Sequence, residues 1–176
     1  MKELLNQYFE FATDLLLSLG IYWGEIKDVI IMPKASTTIL GNCHRSNYHG
    51  YITYTISLNP CLFADGVNDD IIVQTLLHEL IHTIDGCFNH GKKFKYYANI
   101  INNAYGYNIS RTTDSSKFGV ELPKQDYKFE IVCANCGAKW HYKRSTDFVQ
   151  CVERDGGQRW TCGCGAKGQF KCIRMH

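Results

Sequence analysis

The chain has 176 residues, 45% hydrophobic and 20% charged, proportions ordinary for a globular protein, so that disorder is not the default reading and there is length for one sizeable core plus a small second unit. Its net charge of +2 conceals an asymmetry. Residues 1–116 carry eight Lys/Arg against eleven Asp/Glu, a net of −3, and residues 117–176 carry eleven against six, a net of +5. The basic C-terminal part suits a polyanionic partner, although a solvated surface also accounts for such an excess.

At the N-terminus, Leu4, Leu5, Tyr8, Phe9, Ala12, Leu15, Leu16 and Leu19 recur at three and four residues, with Gly20 as a stop. That spacing predicts an amphipathic helix packed on a core. Glu3, Glu10 and Asp14 interrupt the apolar run, so it reads neither as a signal peptide nor as a membrane span. A reducing compartment is expected, either the cytoplasm or a nucleoid or nucleus if the chain works on DNA, and a monomer with no membrane partner.

Short β-like runs follow at residues 28–32, 37–40 and 51–58. The last, YITYTISL, alternates cleanly, with Ile52, Tyr54, Ile56 and Leu58 on one face. We read it as a half-buried strand whose edge could pair with an extended substrate. GNCHRSNYHG, residues 41–50, reads as a polar loop bounded by glycines.

A second helix is expected from about Asp69, capped by Asn68, to about Asp85, with Gly86 ending it. Its neighbours Ile72, Val73, Leu76, Leu77, Leu80, Ile81 and Ile84 make it apolar nearly all round, which means burial. Within it stands His78-Glu79-Leu80-Ile81-His82. Two histidines four residues apart share a helix face and can reach one ion, and Glu79 leans to the same side, where it can take a proton from a metal-activated water. Two histidines and a glutamate are costly in a buried helix unless paired or metal-bound.

The third ligand follows by elimination. No acidic residue lies between Asp85 and Asp114, which excludes the zinc enzymes that use a downstream glutamate. The HExxHxxGxxH pattern with a later methionine turn is also absent, because HELIHTIDGCFNH has two residues too many and Met175 is the only methionine beyond it. His90 remains, the only histidine between His82 and His141. Three protein nitrogens leave a position for water, the mark of a catalytic rather than a structural zinc. Tyr96, Tyr97 and Arg111 are candidates for the oxyanion partner. A third helix is expected over about 92–104, ending before Gly106.

Residues 112–126 read as a linker, followed by a Cys-, Gly- and aromatic-rich module. Six of the nine cysteines lie beyond residue 130. Cys133 and Cys136, then Cys162 and Cys164, form two knuckles suited to one structural zinc, with Cys151 or Cys172 as substitutes because the second pair is C-x-C. Cys43, His44 and His49 are a weaker second cluster; Cys61 and Cys87 read as free thiols. Trp140, Lys143, Arg144, Arg159 and Trp160 interleave aromatics with cations, as a nucleic-acid contact would, unless the aromatics simply form the module's core.

Three stretches carry a family resemblance: TLLHELIHTIDG, then NHGKKF, then INNAYGYNISR. They are similar to the SprT-like, or Spartan-type, zinc metalloproteases, as are the ISLNP strand end and the Cys-rich tail. The resemblance implies an α+β fold with a zincin-like catalytic domain (residues 1–111), a linker (112–126) and a zinc ribbon (127–176). It implies one catalytic zinc on His78, His82 and His90, one structural zinc, Glu79 as base and a protein substrate, with DNA-bound proteins as the extension. The competing expectation is a non-catalytic zinc-ribbon protein that binds nucleic acid or serves as a scaffold.

Overall fold

In the computed structural model, which describes residues 1–112 and 115–175, the N-terminal stripe folds as helix α1 (Lys2–Ser18) and buries Leu5, Ala12 and Leu16. Gly20, in the left-handed conformation at φ 66°, turns the chain after it. Three strands follow: β1 (Ile26–Ile31), β2 (Gly41–Tyr48) and β3 (Tyr51–Leu58). Their order is β1-β3-β2, with β1 parallel and β2 antiparallel to β3.

This corrects the sequence reading in two places. Residues 41–50 are not a loop. They supply β2 and the two-residue turn His49-Gly50, whose φ values of 50° and 89° match the turn favoured in tight hairpins. Residues 37–40 form no strand. In addition β3 has a partner on each side, so it offers no free edge; the edges of this sheet are β1 and β2, and of the two β2 is the one that lines the metal cleft described below. An edge strand has little to bury, so β2 carries Asn, His, Arg and Ser instead of an alternating apolar face.

Asn59, fully buried, locks the end of β3. Its amide donates to the carbonyls of Ser36 (2.9 Å) and Ile39 (2.8 Å), and its side-chain oxygen accepts from the Cys61 N–H. Helix α2 (Asp70–Thr83) is the buried axis, with Ile71, Leu76, Leu77, Leu80 and Ile81 inaccessible. It ends two residues before the expected stop. The Asn68 side chain accepts from the Asp70 N–H (2.9 Å) at its start. Helix α3 (Lys92–Tyr105) buries Phe94, Ala98 and Ile101 and ends at Gly106, φ 71°.

The chain divides into two compact units, Met1–Pro123 and Lys124–His176. The expected linker is therefore shorter at its front: Val120 is buried in the first unit's core, and Phe118 and Leu122 pack against it. These three apolar residues lack a period because they cover the core singly. The second unit has the antiparallel sheet β5-β4-β6, from β4 (Phe129–Cys133), β5 (Lys139–Tyr142) and β6 (Phe170–Arg174), and helix α4 (Asp147–Asp155). The Thr146 hydroxyl caps α4 by accepting from the Val149 N–H. Ile131, Val149, Val152 and Phe170 form its small core. The architecture is α+β with a four-cysteine cluster near the C-terminus. Among the described residues no helix is long and apolar enough to cross a membrane.

Candidate metal centre

Helix periodicity places His78 and His82 one turn apart on α2, and the short connection before α3 returns His90 to them. Their three Nε2 atoms lie 3.0–3.2 Å apart. Ligands at about 2.05 Å from a tetrahedral zinc stand about 3.3 Å from one another, so the trio fits such an ion closely. Direct imidazole pairing fits worse, since three ring nitrogens cannot all donate and accept around one point.

The outer nitrogens support the same arrangement. His82 Nδ1 faces the Cys87 carbonyl at 2.9 Å, and His78 has a backbone hydrogen bond to Ser110. Each fixes a tautomer that leaves Nε2 free as a ligand. Burial, then the neighbouring His82 and His90, pushes His78 down to about 3. Burial also lowers His82, and burial followed by Arg111 lowers His90. Neutral imidazoles are the metal-binding form. The Phe94 ring packs against all three, with centroids 4.7–4.9 Å away, and limits their rotation.

Glu79, 6% exposed, lies in the same cleft, about 490 Å³ in volume. Burial raises its carboxyl to about 8, opposed by a hydrogen bond from the Cys43 backbone N–H. One wall is the start of β2, where Gly41 meets the helix: a Cβ there would stand 2.7 Å from Thr75 Cγ2 and 2.8 Å from Glu79 Oε1. Residues 38–40, held by Asn59, also line the cleft, as do Ile109, Arg111 and Thr112.

In the second unit Cys133, Cys136, Cys162 and Cys164 bring their sulfurs within 4.8 Å of one another. The separations of 3.8 Å (Cys133–Cys164) and 3.6 Å (Cys136–Cys162) match the roughly 3.8 Å edge of a tetrahedral zinc–thiolate site. Hydrogen bonds from the Asn135 side chain and the Ala166 backbone hold Cys164 down to about 6, which favours the ligating thiolate.

A model of the SprT-like family matches residues 10–114. The chain belongs to the SprT-like family. Among curated proteins no match is found.

The remaining candidates sort by position in this SprT-like chain. Of the three considered for the oxyanion, only Arg111 lines the cleft; Tyr96 is 61% exposed on α3, and Tyr97 packs against the core. Cys151 and Cys172 stand apart from the four-sulfur cluster, and Cys43, His44 and His49 form no metal-binding group among the described residues. Cys87 is buried, and Cys61 is half-buried. Trp140 packs edge-on against Phe148 and Phe170, while Trp160, 39% exposed, stacks near Phe148. Arg159 pairs with Asp147, and Lys143 and Arg144 are exposed after β5. Sequence reasoning missed Gly41, the Cys43 amide, Asn59 and Phe94. Gly41 opened the presumed loop, and Asn59 and Phe94 stood within the quoted ISLNP and NHGKKF stretches, but nothing there pointed to these roles.

Proposed function

We propose that this chain is a zinc-dependent endopeptidase with a zincin-like catalytic unit, His78, His82 and His90 as metal ligands and Glu79 as base. The observation that carries the reading is the convergence of three Nε2 atoms beside a buried carboxylate, in a cleft walled by the free-edged strand β2. Zinc at such a site supplies Lewis acidity, which acidifies water and polarises a carbonyl.

The chain's own residues do the rest. Glu79 takes a proton from the attacking water and returns it to the leaving amine. The Cys43 N–H orients that carboxylate, and the absent side chain of Gly41 leaves it room. An extended substrate adds to the β2 edge, which holds its backbone by ladder hydrogen bonds. Arg111, in the cleft lining, is the cation that meets the developing negative charge.

We propose further that the substrates are proteins bound or crosslinked to DNA and that the chain acts as a monomer in the cytoplasm, nucleoid or nucleus. The net +5 of residues 124–176, with Lys143, Arg144 and Trp160 exposed, supports a DNA contact in the second unit. The test is cleavage of casein and histone, with and without single-stranded DNA, by the native chain and by Glu79→Gln. Cleavage lost in Glu79→Gln supports the peptidase reading, and stimulation by DNA supports the substrate class. DNA binding by both proteins with cleavage by neither would favour the scaffold instead.

A further inference from the structure

A second cavity, of about 500 Å³, opens beside the metal cleft, and the two share one lining residue, Phe88, which is 55% exposed. It is built where α2 ends, between residues 83–86 and the strand pair β2–β3. Along β2, Gly41 and Cys43 line the metal cleft and Arg45 lines the second cavity. Successive residues on one strand face are about 6.6 Å apart, so a peptide laid along the β2 edge past Glu79 reaches this cavity within two or three residues.

The lining is specific in its chemistry. Trp23, Tyr54 and Phe88 supply aromatic walls, and Glu25 and Asp85 supply carboxylates. The Tyr51 hydroxyl donates to Glu25 and steadies it. Asp85 makes no side-chain ion pair among the described residues; Lys93, outside the lining, is bound to its backbone carbonyl. The carbonyl end of α2 adds negative partial charge at the same place. Arg45 is the one resident cation of the lining, exposed and without an ion pair among the described residues.

We propose that this cavity is a specificity subsite for a lysine or arginine side chain of the protein substrate. The proposal rests on the peptidase reading above. Aromatic walls suit the aliphatic stem and the cation, and two carboxylates with a helix C-terminus suit the charge. Those carboxylates repel phosphate, which disfavours a nucleic-acid strand here.

The test uses the full zinc-loaded chain and quenched fluorogenic peptides in which one position, stepped along the sequence, is Lys, Ala or Glu. At one position kcat/KM for Lys should exceed that for Ala by roughly tenfold, mostly through KM, with Glu worst. The double variant E25Q/D85N should bring the Lys/Ala ratio to within about twofold of one, and R45Q should raise it, because a like charge is removed. A ratio near one at every position, or one that E25Q/D85N and R45Q both leave unmoved, overturns the subsite. If E25Q/D85N does not fold, the single variants and R45Q decide. Fluorescence anisotropy of labelled peptides on E79Q separates the two readings: tighter binding of the Lys peptide without cleavage by the native chain keeps the subsite and sinks the peptidase, whereas cleavage without Lys preference does the reverse.

Discussion

Replacing Gly41 by alanine inserts one methyl group between β2 and α2. It would lie 2.7 Å from Thr75 Cγ2, 2.8 Å from Glu79 Oε1 and 2.9 Å from Glu79 Cγ, all closer than ordinary carbon contacts of about 3.5–4.0 Å. Thr75 is pinned, its hydroxyl donating to the Ile71 carbonyl at 2.6 Å, so the strain falls on the edge strand and on Glu79. Overpacking of this kind costs about 1–3 kcal/mol, a drop in Tm of roughly 4–12 °C for a unit of this size. A base displaced by even about 1 Å loses on the order of 100-fold in kcat, equivalent to about 2.7 kcal/mol. Thr75→Ser, which keeps the hydroxyl and removes Cγ2, should restore part of the stability of Gly41→Ala and little of its activity, because the Glu79 contact persists. Thermal unfolding, kcat on a fluorogenic peptide and zinc content would be measured for both single variants and the double variant. Gly41→Ala with Tm within 1 °C and kcat within about twofold of the native values would refute the close packing of β2 on Glu79.

Glu79 also predicts a pH dependence in the metal-stripped protein. Its folded carboxyl, raised to about 8 by burial, holds a proton that the unfolded chain has lost above its ordinary value, so its stabilising protonation fades as pH rises through 8. Between pH 6.5 and 8 the native protein should lose about 2 kcal/mol relative to Glu79→Gln by denaturant titration; His78, lowered to about 3, is already neutral in both proteins. Cys136→Ser should reduce bound zinc from two to one per chain and unfold the second unit, read by the fluorescence of Trp140 and Trp160, whereas Cys151→Ser and Cys172→Ser should each retain two zinc. Asn59→Ala leaves the Ser36 and Ile39 carbonyls and the Cys61 N–H without their side-chain partner. It should cost about 2–4 kcal/mol and speed amide exchange at residues 36–40, measured by hydrogen–deuterium exchange.

The helices could be read locally. Period 3.6 marks α1, the Asn68 cap and an apolar run ended by Gly86 mark α2, and a pair of histidines at i and i+4 shares a face whatever surrounds the helix. Knuckle spacing identifies the four clustered cysteines for a similar reason, since each pair is held by its own tight turn. The edge strand could not be read this way, because alternation records burial and β2 buries little.

Residue order alone therefore picked out the candidate ligand types, the carboxylate next to His78, and the elimination that left His90. Those follow from helix geometry and from what each side chain can donate. Only the tertiary structure decided that β3 is central and β2 is an edge strand, and that Gly41 and the Cys43 amide abut Glu79. It alone put Arg111 in the cleft while leaving Tyr96 and Tyr97 out of it. Strand order and strand-to-helix packing join residues about 40 apart in sequence, and no periodicity of either segment records which partner the other will find.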